Sequence, residues 1–301
     1  MEMELCDQAQ IEHTGLDAVL ARLTDPVHWL EPAWAVACGV IASAGFGGQG
    51  EDWLKAALLA LLVDVGWVGV WTALGSANWA AALIRWRDWQ MGEPAAALPY
   101  TLSGSPGDRA ARWLGQLRAW CYCLVWPAYG PVLVAAAVAL VVAVALAAAL
   151  GGDLVLLTGA TLAVVQLGVA WEGGRGTVSP AWEGLVVVML PWLAGHVAFA
   201  ETLSLASAGL AFAFALTRGA AHQADQAGER ALMLTAQMLV GGLLVLLRQP
   251  LAAGGVLFLL LPQLALLPWL RRGQAVSWYV RHSRPWLMTA MLVAAWAIQG
   301  V

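Results

Sequence analysis

Long apolar stretches separated by short polar breaks fill the chain from about residue 26 to residue 299. A helix needs about 20 predominantly apolar residues to cross the hydrocarbon core of a bilayer. By that rule the pattern predicts an all-α polytopic membrane protein with about nine transmembrane helices. The predicted spans are Trp29–Phe46, Trp53–Leu83, Pro131–Leu150, Leu154–Trp171, Ala181–Ala200, Leu203–Thr217, Ala231–Leu247, Leu251–Leu270 and Pro285–Gln299.

Two parts of the chain fall outside this pattern. Residues 1–25 are acidic and lack the apolar stretch of a signal peptide, so they are predicted to form a polar arm with an amphipathic helix near Leu16–Leu23. Residues 26–301 are predicted to form one transmembrane domain, in which the longest polar connection is 84–130. Within it, the aromatic and cysteine residues of the Arg112–Tyr129 segment are typical of an interfacial or a re-entrant segment.

Basic residues lie almost entirely on one side of the nine predicted helices. The amino-terminal arm and the connections near the ends of helices 2, 4, 6 and 8 hold 13 of the 15 basic residues: Arg22, Arg85, Arg87, Arg109, Arg112, Arg118, Arg175, Arg218, Arg230, Arg271, Arg272, Arg281 and Arg284. Only Lys55 and Arg248 fall on the other side. Because basic residues favour the cytoplasmic face, the pattern predicts a cytoplasmic amino terminus.

Composition agrees with this fold class and excludes others. The chain is 61% hydrophobic and 11% charged, with a mean hydropathy of +0.72. The net charge is −4 and there is no basic run, so the expected partner is the lipid bilayer and not a nucleic acid. The four cysteines form no Cys-x-x-Cys pair, and we expect them to be small apolar fillers.

Asp64 is a candidate for chemistry because it lies inside the second predicted span. A carboxylate at that depth is costly, so it marks either a functional site or a protonated, hydrogen-bonded structural residue. Asp225 and Glu229, four residues apart beyond the sixth span, either hold a divalent cation together or are solvated loop acids. The sequence leaves these alternatives open.

Histidines and tryptophans near the ends of spans are candidates for binding a flat hydrophobic ligand. An imidazole can ligate the magnesium of a chlorin or the iron of a haem, and His28 and His196 border spans near aromatic residues. Trp71, Trp79 and Trp192 offer stacking surfaces. For any single one of these residues, structural packing is the alternative.

Two stretches resemble the bacteriochlorophyll and chlorophyll synthases of the UbiA prenyltransferase superfamily. Residues 25–43 are similar to the first helix of that family, with its Pro-x-x-Trp entry, Pro-x-Trp-Ala and Cys-Gly. Residues 190–199 resemble the Leu-Pro-Trp-Leu-Thr/Ala-Gly of its fifth helix. Between them, Glu93-Pro94 and Ser103-Gly104 fall where the family has Glu-Pro-x-Arg-Pro-Ile-Pro-Ser-Gly-Arg.

The resemblance implies a nine-helix bundle in the cytoplasmic or photosynthetic membrane of a bacterium. It also implies a tetrapyrrole acid and an isoprenoid diphosphate as substrates, joined with loss of magnesium pyrophosphate. The ligands to expect are bacteriochlorophyll, a carotenoid or an isoprenoid lipid, with Mg²⁺ needed only for catalysis. The expected protein partners are reaction-centre or light-harvesting subunits.

The chain departs from the family at the two aspartate motifs that bind magnesium diphosphate. The aspartate positions of the first motif, Asn-Asp-x-x-Asp-x-x-x-Asp, fall on Asn78, Ala81 and Arg85. In the second motif the first aspartate falls on Arg218. Two magnesium ions bridging a diphosphate need several hard oxygen ligands. The sequence therefore predicts an apolar cavity that has lost its catalytic metal site.

Three hypotheses follow. The first is a non-catalytic relative of the bacteriochlorophyll synthases that binds pigment or isoprenoid and acts as an accessory or assembly subunit of a photosynthetic complex. The second is a divergent prenyltransferase that uses the remaining acids Asp88, Asp225 and Glu229. The third is an unrelated transporter or scaffold.

Overall fold

The computed structural model describes residues 26–75, 104–172, 180–200, 202–271 and 275–299, which form helices and short connections without a β-strand. The described part contains nine continuous helical runs. They are α1 (Pro26–Ala42), α2 (Gly50–Gly75), α3 (residues 106–150), α4 (Gly152–Glu172), α5 (Pro180–Phe199), α6 (Leu205–Ala221), α7 (Ala227–Leu246), α8 (Pro250–Arg271) and α9 (Val276–Ala297).

Six of these helices are long and apolar enough to cross a membrane: α2, the Tyr129–Leu150 part of α3, α4, α5, α7 and α8. The chain is therefore an all-helical polytopic membrane protein. Two others, α1 and α6, are apolar but shorter, and α9 carries Arg281 and Arg284. The apolar pattern located these six long helices, because lipid can only be spanned where backbone groups bond within a helix.

Helix boundaries differ from the sequence prediction where charged residues enter a helix. The ninth span was predicted from Pro285, whereas α9 begins at Val276 and keeps Pro285 in its interior. The sixth was predicted to end at Thr217, whereas α6 continues through Arg218 to Ala221. In both cases a guanidinium is accommodated because it is paired with a carboxylate inside the bundle.

The Arg112–Tyr129 segment is helical and runs directly into the third span. It includes the α-helix Pro106–Trp120, a π-helical turn at Cys121–Val125 and the α-helix Trp126–Leu150. Ser105 caps the start by accepting a hydrogen bond from the Asp108 amide at 3.2 Å. The helix does not reverse direction, so the described part of the 84–130 connection is an extension of α3 and not a re-entrant loop.

Glycines allow the central helices to approach closely. A methyl group on Gly39 of α1 would lie 2.0 Å from the carbonyl oxygen of Trp192 on α5, and one on Gly195 would lie 2.2 Å from the carbonyl oxygen of Val36. Helices pack this closely in membranes where small residues face each other. As a result α1 and α5 form the centre of the fold, and both contribute to the two largest apolar clusters.

Three π-helical turns widen the helices α2, α3 and α5, at Leu62–Trp67, Cys121–Val125 and Leu185–Met189. The turns in α3 and α5 each end two residues before a proline, Pro127 or Pro191. A proline lacks the N–H that would continue the α-helical ladder, so a wider turn before it is expected. The turn in α2 contains Asp64 and has no such proline, which makes it a feature of tertiary packing.

Candidate functional site

A buried ion pair joins α1 to α6. The Arg218 Nε donates a hydrogen bond to Oε1 of Glu31, and both side chains are almost fully buried. Glu31 lies near the start of α1, within the stretch that resembles the synthase first helix, and Arg218 lies near the end of α6. A charge in such surroundings persists only when it is paired, so this contact fixes the relative position of the two helices.

Two further charged residues complete a cluster around this pair. Nη2 of Arg284 on α9 lies 3.5 Å from the second oxygen of Glu31. Nη2 of Arg218 lies 3.9 Å from Oε1 of Glu183 on α5. Glu31, Glu183, Arg218 and Arg284, which we call the charged cluster, contain two carboxylates and two guanidiniums. The cluster is therefore electrically neutral and links four helices.

His222 follows α6 directly and lies beside the charged cluster, outside the candidate membrane spans. Burial lowers the pKa of its imidazole to about 4, and the positive charge of Arg218 acts in the same direction. The carboxylates of Glu183 and Glu31 oppose this shift. His222 is consequently neutral at physiological pH and adds no charge to the cluster.

Arg218 occupies the position where the resemblance places a metal-binding aspartate. Its guanidinium is directed to Glu31 and Glu183, so the same two acids that would attract a cation are neutralised. Asp225 is exposed beyond the end of α6, and Glu229 lies in the first turn of α7. Across the described ranges no three His, Cys, Asp or Glu side chains are grouped to hold a metal ion. Arg218 thus brings a positive charge to the position where the resemblance expects a metal-binding carboxylate.

Two of the three tryptophans predicted to stack on a ligand, Trp71 and Trp192, are core residues. Trp192 is fully buried, donates from Nε1 to the Ser207 hydroxyl at 2.9 Å, and stacks on Phe214 with ring centroids 6.0 Å apart. Trp71 is likewise buried, in the cluster between α2 and its neighbours. Neither ring has an exposed face on which a ligand could stack, so both side chains pack in the core.

His196 is also engaged within the protein. It is buried, and its Nε2 accepts a hydrogen bond from the Ser204 amide at 3.3 Å. An Nε2 that accepts leaves the proton of a neutral ring on Nδ1, which has no hydrogen-bond partner among the described residues. Ligation of a chlorin magnesium would require this packing to open. The structure thus gives His196 a contact between α5 and the start of α6.

Asp64 lies in the π-helical turn of α2 and is only partly buried. Its Oδ1 is buried and has no hydrogen-bond partner within the part of the chain that the structure describes. The neighbouring Trp67 donates instead to Thr158 on α4 at 3.2 Å. Asp64 therefore forms no hydrogen bond or ion pair with the residues of the charged cluster in the described structure.

Several predicted site residues lie outside the described residues. These are Asn78, Trp79, Ala81, Arg85 and Asp88, together with the side chain of His28. The first aspartate motif of the resemblance therefore keeps its status as a prediction.

Sequence reasoning missed the charged cluster and His282. The sequence shows isolated charges within or beside apolar runs at Glu31, Glu183 and Arg284. Each could be noticed by itself, but the sequence does not show that they contact one another. His282 is exposed on α9, and its Nδ1 lies 2.8 Å from the Trp278 carbonyl oxygen one turn earlier. The sequence prediction favoured His28 and His196 because they border spans near aromatic residues.

The fold and these sites define a polytopic α-helical membrane protein with a buried, charge-balanced cluster joining four helices. Comparison with protein-family models, with curated proteins and with solved structures found no match to the chain.

Proposed function

We propose that the chain is a non-catalytic relative of the bacteriochlorophyll synthases that binds pigment or isoprenoid and acts as an accessory or assembly subunit of a photosynthetic complex. The observation that carries the non-catalytic part is the pairing of Arg218 with Glu31 and Glu183. A guanidinium replaces the aspartate expected there, and it also neutralises the nearby acids. Metal stabilisation of a departing diphosphate is worth many powers of ten in rate, so its loss removes turnover.

The accessory role follows from what the chain keeps. It retains the apolar helices and the Pro-Trp stretches of the resemblance, which in an enzyme would enclose a long isoprenoid and a tetrapyrrole. A bundle that keeps these features without a metal site is suited to holding or delivering such molecules. Its proposed location is the cytoplasmic or photosynthetic membrane of a bacterium, with the amino terminus in the cytoplasm.

An esterification assay tests the absence of catalysis. The purified chain is incubated with bacteriochlorophyllide, Mg²⁺ and geranylgeranyl or phytyl diphosphate, beside an active synthase of the family. We expect no esterified pigment above a heat-inactivated control. Product that depends on Mg²⁺ and disappears in Asp225→Ala would instead establish the divergent enzyme.

A deletion strain tests the accessory role. Loss of the chain is expected to lower the amount of assembled reaction-centre or light-harvesting complex while the pigment remains esterified. Accumulation of free bacteriochlorophyllide would contradict the proposal, and so would normal levels of every complex. Purification of the tagged chain from native membranes supplies a second measurement, in which a far-red chlorin band or a carotenoid band is expected.

Reporter fusions test the proposed orientation. A reporter that is active only in the cytoplasm should work when fused to the amino terminus and to the 272–274 connection. It should be inactive in the short 247–249 connection between α7 and α8. The reverse result would invert the topology, and equal activity at both connections would contradict the nine-span count.

A further inference from the structure

The imidazole of His282 is held in one tautomer. Its Nδ1 lies 2.8 Å from the carbonyl oxygen of Trp278, and a carbonyl oxygen can only accept. The hydrogen therefore sits on Nδ1, and Nε2 of the neutral ring carries a lone pair. Histidines that ligate metals in proteins are commonly fixed in this way by a carbonyl or carboxylate on the second nitrogen.

Aromatic side chains lie near this imidazole on the outside of the bundle. The His282 and Trp278 ring centroids are 4.3 Å apart, and Trp269 of α8 lies 6.3 Å from Trp278. His282 is exposed, and Trp269 and Trp286 keep 46% and 40% of their surfaces exposed. The exposed His282 is thus in contact with Trp278, which lies near Trp269 at the end of α8, and Trp286 follows His282 one helical turn later on α9.

The number of protein ligands decides what such a site can bind. A bare zinc or calcium ion needs about four to eight ligands, most of them from the protein. No three His, Cys, Asp or Glu residues of the described ranges are grouped for that purpose, so His282 alone would not hold one. A metal inside a tetrapyrrole already has four ring nitrogens and takes as few as one axial ligand from the protein.

We propose that Nε2 of His282 is an axial ligand for a metallo-tetrapyrrole that lies against the aromatic surface formed by Trp269, Trp278 and Trp286. The flat apolar macrocycle covers exposed indole, and the single nitrogen completes the coordination of its metal. This inference deepens the proposed function by naming the ligand class and the place of binding, and it rests on that function only for the expectation that the pigment is a chlorin.

Titration with zinc protoporphyrin IX tests the site, because its zinc takes one axial nitrogen and its absorption band shifts on ligation. The wild-type chain in detergent should bind the probe and shift its band. His282→Leu should lose the shift and bind about tenfold more weakly or worse, since even the second-shell partners of a metal ligand are worth about 10–100-fold in affinity. Thr289→Val, on an exposed position of the same helix, is the matched control and should bind like wild type.

One further variant and one further probe separate ligation from apolar contact. Trp286→Leu should weaken binding but keep the shifted band, whereas metal-free protoporphyrin should give no ligation signature with any variant. Circular dichroism and gel filtration confirm that each variant is folded. Once binding through His282 is established, competition with bacteriochlorophyll and with haem identifies which macrocycle the site prefers.

An unshifted band with the wild-type chain would overturn the proposed ligation, as would an unchanged shift in folded His282→Leu. These results are distinguishable from failure of the proposed function. Pigment that purifies with His282→Leu at the wild-type level would place the pigment elsewhere and leave the accessory role standing. Normal complexes in the deletion strain would remove the accessory role even if His282 ligates the probe.

Discussion

Arg218 and Glu31 form a buried ion pair although they are 187 residues apart in sequence. The contact joins the end of α6 to the start of α1. Arg284 lies next to Glu31 and Glu183 lies next to Arg218, so the cluster of four has no net charge. Breaking one member of a buried pair leaves an uncompensated charge, whereas removing both members together removes the penalty as well. The cluster can therefore be tested by a double-mutant cycle.

Glu31→Gln and Arg218→Met should each destabilise the folded chain by about 3–5 kcal/mol, because each leaves a charge without its partner in the bundle. The double variant should be more stable than the sum of the two losses predicts, since it does not leave one member of the buried pair charged without the other. Thermal unfolding in detergent measures all three. Strictly additive losses would contradict a direct coupling between the two side chains.

Asp108→Asn supplies the control for this cycle. Asp108 and Arg112 form an ion pair with a 2.9 Å contact on the outside of the α3 extension, where the Arg112 hydrogen bonds keep the pKa of Asp108 below its usual range. Exposed pairs of this kind contribute little because solvent and salt screen them. No measurable change in unfolding temperature is expected for this variant.

The stability of the chain should depend on pH through His222. Its pKa is about 4 in the folded state against an ordinary value of 6.5, so between these values the unfolded chain binds more protons. Stability is therefore fully present above about pH 6.5 and is lost as the pH falls toward 4. His222→Asn should flatten that part of the profile of unfolding temperature against pH. An unchanged slope would show that other groups cause the loss.

Alanine at Gly39 or Gly195 should destabilise the bundle by about 1–3 kcal/mol, the usual cost of overpacking a well-packed core. The added methyl would fall 2.0 Å or 2.2 Å from a backbone oxygen of the facing helix, and backbone cannot rotate away. The control is Gly254→Ala on α8, where nothing lies within 4 Å. That variant should be neutral or stabilising, because alanine favours a helix more than glycine does. Equal effects at all three sites would contradict the close crossing of α1 and α5.

Asp64→Leu should raise the unfolding temperature, because the buried Oδ1 of Asp64 has no hydrogen-bond partner among the described residues. A partly buried carboxyl inside a membrane span is costly, and leucine removes the polar group while keeping a similar volume. The variant should then be introduced into the native host. A stabilised chain that fails to support complex assembly would mark Asp64 as a functional residue, whereas full support would assign it a dispensable role.

The sequence determined the fold class and the approximate positions of the long apolar helices, but not the helical extension of α3 before Tyr129. A helix that crosses lipid needs a long run of apolar residues, and its backbone groups must form hydrogen bonds within the helix. Such runs consist of consecutive residues, as in α4 and α8, so they can be recognised in the sequence.

Only the tertiary structure decided which charges meet and which side chains remain open. Glu31, Arg218 and Arg284 each appear in sequence as isolated charges, and their partnership depends on the packing of α1, α6 and α9. Trp192 and His196 were predicted from the sequence as ligand-binding residues. In the structure both are buried where α5 packs against α1 and α6. His282 became a candidate ligand because its hydrogen bond to the Trp278 carbonyl, one turn earlier on α9, fixes the tautomer while the ring stays exposed. Local periodicity cannot encode the charged cluster or the packing of Trp192 and His196, because these depend on contacts between different helices.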